Sequence, residues 1–286
     1  MAAFSPFDVQ ARPNRLLGQM LSFALFVVCA LLYVHTSTVR HRQNAEDRIV
    51  PNAQQLRAGL HASVLEPAEE DDYVAPENAS KWERFRHSMI WKDTFASGRR
   101  FGISMLLFLP AILLALHIGL YPYFNAGLLR FVLFFDKIVA LSLLPILFIV
   151  FGIDELSKIA LIFIGVAPTL ILDTIQMVKA VPQEQIVKAF TLGANNFDVA
   201  YRVVLRQISP QIINSLRLNL KPMMLFLFAG EMIAASDGLA YRIAIMRRHM
   251  GMDIILPYVL WVAVLLFALD LSLRLLNRRV NPWFQS

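Results

Sequence analysis

The chain has 286 residues, of which 57% are hydrophobic and only 17% are charged, and its mean hydropathy is +0.55. A soluble domain would be about 45–50% apolar and about 25% charged, so this composition excludes an ordinary soluble protein and a disordered chain. It indicates that lipid surrounds much of the molecule. The single Cys29 has no intrachain disulfide partner. The net charge of +6 would suit nucleic acid, but membrane proteins gather Lys and Arg in cytoplasmic loops, and we expect no nucleic-acid partner.

Six stretches are apolar and long enough to cross a membrane as helices, which takes roughly 20 residues. They are residues 17–34, 101–120, 131–151, 156–178, 212–235 and 254–276. We therefore predict an all-α membrane protein with six transmembrane helices. The first stretch could be a cleaved signal peptide, but its apolar run is long and no small-residue cleavage site follows it, which favours an uncleaved span.

The charges of the short segments predict the orientation. With the N-terminus inside, nine Lys and Arg residues fall on the cytoplasmic side and three, Arg242, Arg247 and Arg248, fall outside. Cytoplasmic loops carry the excess of positive charge. We therefore expect both the N-terminus and the C-terminus to be cytoplasmic.

The predicted spans divide the chain into three parts. Residues 1–34 form an N-terminal cytoplasmic segment with the first transmembrane helix, and residues 35–97 form a long polar external loop. Residues 98–282 form the core, with a cytoplasmic loop at residues 179–210. The external loop contains the acidic run 69–72, which is typical of a solvated, flexible segment; a docking surface for an external partner is the alternative.

The sequence lacks the common motifs of nucleotide-binding and catalytic sites. It contains no phosphate-binding loop with Gly-Lys-Ser or Gly-Lys-Thr, no His-Glu-x-x-His and no Gly-x-Ser-x-Gly. The six His residues show no metal-ligand spacing, and no channel filter sequence occurs. We therefore expect neither an enzyme nor a simple channel, with no catalytic residue, metal or cofactor in this chain.

The loop at residues 182–210 reads PQEQIVKAFTLGANNFDVAYRVVLRQISP. Pro182 suits the first turn of a short helix over residues 183–192, and Gly193 would end it by allowing a positive φ. Asn195 and Asn196 suit a turn or a new N-cap. A second amphipathic helix would follow and end near Pro210. Such a helix-turn-helix is a plausible docking element for a cytoplasmic partner.

This loop resembles the cytoplasmic EAA loop of ABC-importer permeases, whose pattern is Glu-Ala-Ala, three residues, Gly, nine residues and Ile-x-Leu-Pro. Ala189 and Gly193 match the second Ala and the Gly, and Val203 and Leu205 match the Ile and Leu. Lys188, Val187 and Arg206 replace the first Ala, the Glu and the Pro.

Two further segments resemble permeases of the nitrate/sulfonate/taurine type. Residues 151–158, FGIDELSK, are similar to the FGIGELSK segment of that family, and residues 231–241, EMIAASDGLAY, are similar to its E-M-x-x-x-S-x-G-L-G-Y. Val50-Pro51-Asn52 is similar to a short external element of the family. The resemblance covers about residues 45–60 and 90–282.

The resemblance implies a permease with the type I ABC importer fold in the bacterial inner membrane. It implies a homodimer that binds two cytoplasmic ATPase subunits, which hold ATP and Mg²⁺, and an external solute-binding protein that delivers a small anionic or zwitterionic solute. The residues it assigns to ATPase coupling are Ile186, Ala189, Phe190, Leu192, Gly193, Ala194, Val203 and Leu205.

Three residues are candidates for lining the translocation pathway. Glu231 lies near the outer end of the fifth predicted span, where a carboxylate is costly unless it is paired or faces water. A structural ion pair with a Lys or Arg of another span is the alternative. Lys137 could offer a positive charge to an anion, and a structural ion pair is the favoured alternative. Asp136 precedes it, and on a helix the two would point about 100° apart, too far for an ideal local pair. Ser236 is the third candidate.

Two other classes of function stay open at this stage. An ion-gradient-driven secondary transporter would need discontinuous helices and internal repeats, and no convincing repeat is present. A non-transporting membrane scaffold would use the cytoplasmic loop only to hold a partner.

Overall fold

A computed structural model describes residues 15–44, 49–65 and 81–284, and the acidic run at residues 69–72 lies outside this part. Within the described residues the secondary structure is helical, with no β-strand. The α-helices are α1 Arg15–Gln43, α2 Ala53–Leu65, α3 Lys81–Arg86, α4 Met89–Leu120, α5 Pro122–Asp136, α6 Leu144–Phe151, α7 Glu155–Lys179, α8 Gln183–Thr191, α9 Asn196–Asp198, α10 Leu205–Leu218, α11 Leu220–Ala234, α12 Leu239–Arg248 and α13 Met252–Val280. A 3₁₀ turn, Ala140–Leu143, precedes α6, and a π-helical turn, Val199–Val204, precedes α10.

Four of these helices, α1, α4, α7 and α13, are long and apolar enough to cross a membrane by themselves. Two bent pairs meet the same test together: Pro122–Asp136 with Ala140–Phe151, bent by 84°, and Leu220–Ala234 with Leu239–Arg248, bent by 52°. The described residues thus supply up to six spans, as predicted. Their apolar side chains also cover much of the surface, as expected for a protein whose solvent is lipid.

The core of the bundle forms where α4 and α7 pack along each other, with α10 and α11 against them. Phe108, Leu116, Ile162, Met223 and Leu227 are fully buried there. Gly residues allow the helices to approach closely: a Cβ on Gly119 would lie 2.8 Å from Cβ of Val178. Small residues at helix contacts are typical of membrane bundles.

The third predicted span is not one continuous helix, and this expectation is wrong. The helix α5 ends at Asp136, whose carboxylate accepts hydrogen bonds from Thr169 Oγ1 of α7 and from Lys137 Nζ, both at 3.0 Å. Lys137 is the C-cap of α5, and the pair that helix geometry disfavours does form. Pro145 then starts α6 in a new direction.

The fifth predicted span begins later than expected. Asn219 separates α10 from α11, because Pro222 cannot donate a backbone hydrogen bond to the Leu218 carbonyl. The helix α10 is polar on one face, and its Arg217 binds Asp270 of α13, with Nε 2.9 Å from Oδ1. The apolar candidate here is instead the pair of α11 and α12, which is bent by 52°.

The segment expected to be a polar loop, residues 35–97, is largely helical in its described part. The helix α1 continues to Gln43, α4 begins at Met89, and α2 packs along α13. Gly59 of α2 explains that contact: a Cβ there would overlap the carbonyl oxygen of Asp253. The Asp253 carbonyl accepts no hydrogen bond from residue 257, four residues later in α13, because Pro257 has no N–H. The sequence gives no periodic signal for such a contact.

Replacing Gly59 with alanine should separate α2 from α13. The added methyl group meets backbone atoms that cannot move aside, including the Asp253 carbonyl carbon at 2.7 Å, and overpacking of this kind costs about 1–3 kcal/mol. The measurement is thermal unfolding of the purified protein. Gly127→Ala is the matched control, because a Cβ there meets open space. Equal melting temperatures for the two variants would contradict the packing of α2 on α13.

Candidate functional site

Two polar regions lie at opposite ends of α4. Arg100 stands where the polar first turns of α4 give way to the apolar run, and Leu120 ends the helix beside the loop at residues 179–210. Twenty helical residues span about 30 Å, which is the thickness of the hydrocarbon core. The two regions therefore lie near opposite membrane surfaces.

The first region is centred on Arg100, whose side chain is 2% exposed. Its guanidinium uses all five of its N–H donors. Nε and Nη2 bind the two carboxylate oxygens of Glu155, each at 2.7 Å, and Nη1 binds Glu231 Oε1 at 2.8 Å. Nη1 also donates to the Asp237 carbonyl at 2.9 Å, and Nη2 donates to the Asp237 carboxylate. These four residues are called the Arg100 cluster below.

Glu231 is fully buried within this cluster. Its Oε1 accepts from Ser97 Oγ at 2.7 Å as well as from Arg100, and its Oε2 accepts from the backbone N–H of Ala240 at 3.0 Å. The structure thus places Glu231 in an ion pair with another span, the alternative left open by the sequence. A buried carboxylate that accepts three hydrogen bonds, one of them from a cation, is well compensated.

The N–H groups at the start of α12 are capped by side chains of other helices. The N–H groups of Gly238 and Leu239 donate to Asp93 Oδ1 at 3.2 Å and to Ser97 Oγ at 2.9 Å, while Ala240 uses Glu231. The initial N–H groups of a helix have no partner within the helix itself. Because α4 and α11 provide these partners, the turn between α11 and α12 is fixed to them.

Asp93 extends the network to α13. Its Oδ2 accepts from Arg242 Nε at 3.0 Å and from Tyr258 Oη at 2.8 Å. Arg242 is one of the three cations that the charge count places outside the membrane, and its side chain is only 14% exposed. Sequence reasoning missed Arg100, Asp93 and Arg242, because each looks like an ordinary charge flanking an apolar segment.

Two cavities meet at this cluster. The larger, about 720 Å³, is lined by Arg99, Arg100 and the aromatic rings of Trp91 and Phe95. The smaller, about 380 Å³, is lined by Ser236, one of the predicted pathway residues. Glu155 lines both cavities. The predicted pathway residues are therefore only partly brought together: Glu231 and Ser236 lie at the cluster, whereas Lys137, 78% exposed, lines neither cavity.

The second region is the loop at residues 179–210, called the coupling loop below after the role that the resemblance predicts for it. Pro182 precedes α8 as predicted, Gly193 follows it with φ +86°, and Asn195 Oδ1 accepts from the Asp198 N–H at 2.8 Å as an N-cap. The predicted end of the second helix at Pro210 is wrong. The helix runs on to Leu218, because the end of α13 binds it around Pro210: Ser209 Oγ donates to Asn281 Oδ1 at 2.8 Å, and Asn277 Nδ2 donates to the Pro210 carbonyl at 3.1 Å.

The predicted coupling residues fall into two groups. Ile186, Ala189, Ala194 and Leu205 are half-buried and pack on the core, and Val203 is half-buried in the π-helical turn. Phe190, Leu192 and Gly193 are exposed instead. The apolar residues of this loop therefore face two directions. They form an inner anchor and an outer apolar surface.

Comparison with known proteins decides the family. A family model described as "Binding-protein-dependent transport system inner membrane component" matches residues 101–283. The taurine transport system permease protein TauC of Escherichia coli (strain K12) is 32% identical over 203 residues, which cover 70% of this chain and 73% of TauC. The chain belongs to this permease family.

Other similarities agree. The putative aliphatic sulfonates transport permease protein SsuC of Escherichia coli (strain K12) is 27% identical over 143 residues, 50% of this permease and 54% of SsuC. A chain of the MetNI methionine ABC transporter, solved in an inward-facing conformation, shares the fold with a TM-score of 0.55. Its identity is 17%, and the match covers 68% of this permease and 94% of that chain.

The permease is thus an inner-membrane component of an ABC importer with several membrane-spanning helices. Permeases of this family are not themselves enzymes, and they work with ATPase and binding-protein partners. The gradient-driven alternative is set aside by this membership. The matched residues 101–283 include the coupling loop and most of the Arg100 cluster, whereas Arg100 itself immediately precedes them.

Proposed function

We propose that this permease forms the pathway for a small anionic or zwitterionic solute and couples its import to a separate cytoplasmic ATPase that holds ATP and Mg²⁺. The outer apolar surface of the coupling loop supports this proposal most directly. Val187, Phe190, Leu192 and Phe197 are 58%, 44%, 80% and 63% exposed. An apolar surface that is surrounded by charged residues marks a contact with a protein partner.

The inner anchor explains how force could pass from an ATPase to the spans. Tyr201 Oη lies 3.3 Å from His117 Nε2, and Tyr121 Oη donates to the Asn196 carbonyl at 3.3 Å. His117 and Tyr121 stand at the end of α4, so the loop is tied to a helix that reaches the Arg100 cluster. A partner that moves the coupling loop would shift packed helices as rigid units.

The solute class is inferred from the relatives. TauC is named for taurine and SsuC for aliphatic sulfonates. We infer a solute of the nitrate, sulfonate or taurine kind, delivered by an external solute-binding protein, and a homodimer of this chain with both termini and the coupling loop in the cytoplasm. Copurification with two ATPase subunits per two permease chains is the expected composition.

Leu192→Asp should abolish copurification of the ATPase. The substitution puts a charge on the most exposed apolar side chain of the coupling loop, where a partner pocket would have to desolvate it. We expect at least about tenfold less bound ATPase, since losing a buried apolar anchor costs about 2 kcal/mol or more. The measurement is the ratio of ATPase to permease after affinity purification.

Gln185→Asp is the matched control, because it adds the same charge at an exposed polar position of α8. Its ratio of ATPase to permease should equal that of the unmodified chain. If Leu192→Asp retains the ATPase as well as Gln185→Asp does, the coupling assignment is wrong. ATPase binding without ATP-dependent uptake in proteoliposomes would instead support the scaffold alternative.

A further inference from the structure

The smaller cavity beside the Arg100 cluster contains a buried lysine that the sequence did not single out. Lys158, in the first turns of α7, lines this cavity of about 380 Å³ together with Asp154 and Ser236. Its side chain is only 3% exposed. A buried charge at the edge of a membrane bundle is expensive and marks a functional position by default.

The hydrogen bonds of Lys158 are incomplete. An ammonium group has three donors, and the structure gives this one a single contact among the described residues, 3.3 Å from Nζ to Glu155 Oε1. That oxygen already accepts from Arg100 Nη2 at 2.7 Å, and the other Glu155 oxygen accepts from Arg100 Nε. Lys158 therefore shares a carboxylate that Arg100 binds more closely. An oxyanion in the cavity would provide the missing acceptors.

Two exposed polar side chains also line the cavity, and within the described part of the chain neither has a protein partner. The Asp154 carboxylate forms no ion pair there, although Lys158 lies one helical turn away, and the Ser236 hydroxyl forms no hydrogen bond. Ala234 and Ala235 complete the wall with small apolar side chains. The cavity thus combines one cation, two carboxylates and a hydroxyl at the turn between α11 and α12, and one of the carboxylates, Glu155, is already bound on both oxygens by Arg100.

We propose that this cavity is a binding subsite for a small zwitterion or organic anion that passes through the permease. Lys158 Nζ and Ser236 Oγ bind its sulfonate or carboxylate head, and Asp154 binds an ammonium group when the solute has one. The proposal rests on the proposed transport function and deepens it, because it assigns particular residues of this chain to the charged groups of the solute.

The test is equilibrium binding of radiolabelled taurine, ethanesulfonate and ethylamine to the full-length permease in lipid nanodiscs. We expect saturable binding in the order taurine, ethanesulfonate, ethylamine, since only taurine engages both charged groups. This assay contains no ATPase. Its failure is therefore distinguishable from failure of the coupling assignment, which the copurification experiment measures.

Lys158→Met should weaken the binding of taurine and ethanesulfonate at least about tenfold, because a hydrogen bond to a charged group is lost. Lys158→Arg should retain most of it. Asp154→Asn should weaken taurine binding and leave ethanesulfonate unchanged. Lys221→Met is the matched control, since this lysine of α11 is exposed and does not line the cavity.

A lipid headgroup could also supply the oxyanion, so binding is measured in nanodiscs of phosphatidylcholine alone and with added phosphatidylglycerol. Equal taurine affinity in both supports the solute subsite. Taurine binding that phosphatidylglycerol abolishes would assign the cavity to a lipid and overturn the proposal. So would the absence of saturable binding in either lipid, or a Lys158→Met variant that binds taurine as the unmodified chain does.

Discussion

Arg100→Met should be among the most destabilising single substitutions in this permease. It removes a guanidinium whose five donors all bind acceptors, and it leaves Glu231 fully buried without its cation. Breaking a buried ion pair by removing one partner costs about 3–5 kcal/mol. We expect a large drop in the thermal stability of the purified protein and in its yield from membranes.

The controls separate the loss of charge from the loss of packing. Arg130→Met removes an exposed arginine of α5 and should leave the melting temperature unchanged. The double variant Arg100→Met with Glu231→Gln should be more stable than Arg100→Met alone, because no buried carboxylate remains unpaired. A double variant no more stable than Arg100→Met would show that the burial of Glu231 is not the cause.

Gly238→Ala should be comparably damaging for a different reason. The backbone at Gly238 has φ +120°, which residues with a side chain rarely adopt. A Cβ would also lie 2.7 Å from Glu231 Cδ and 2.8 Å from Arg100 Nη1, neither of which has room to withdraw. Strain and overlap together should cost about 3 kcal/mol or more, measured by thermal unfolding.

Gly193→Ala isolates the strain from the overlap. Gly193 has φ +86°, but a Cβ there meets open space, so only the backbone cost of about 1–2 kcal/mol applies. Its loss of thermal stability should therefore be clearly smaller than that of Gly238→Ala. Equal losses would mean that the close contact of Gly238 with the Arg100 cluster does not contribute.

The two polar regions of the permease differ in how many contacts hold their residues in place. At the Arg100 cluster, side chains of α4, α7, α11 and the turn before α12 satisfy one another, and Asp93 of α4 binds Tyr258 of α13. Such a network fixes the turn between α11 and α12 against the bundle. At the other end the coupling loop exposes its apolar surface and keeps only its anchor on the core. The long helices α4 and α7 connect the two regions.

The sequence could predict the uninterrupted spans because their signal is local. The helices α1, α4, α7 and α13 each contain a long apolar run, and no partner is needed to identify them. The turns at Gly193 and Asn195 could likewise be predicted, since a positive φ and an N-cap depend on neighbouring residues only. The resemblance to nitrate/sulfonate/taurine-type permeases was also present in short contiguous segments.

The break in the third span and the path through Pro210 depended on contacts with other helices. Asp136 ends α5 where Thr169 of α7 can bind it, and hydrogen bonds from Ser209 to Asn281 and from Asn277 to the Pro210 carbonyl join α10 to the end of α13. From the sequence alone, Asp136 looks like a charge that an apolar helix tolerates, and Pro210 looks like the end of a helix. Each expectation was wrong because of hydrogen bonds to another helix, which the local sequence pattern does not show.

The amino-acid sequence by itself determined that this chain lies in lipid, how many spans it can form and where its coupling loop begins, because hydrophobicity and turn chemistry act over a few residues. Only the tertiary structure decided which cation pairs with Glu231. Its cation is Arg100, 131 residues earlier in the chain, and no periodicity encodes a pairing between two side chains on different helices. A buried charge selects its partner through the packing of the whole bundle, because only there is water absent and the ion pair strong.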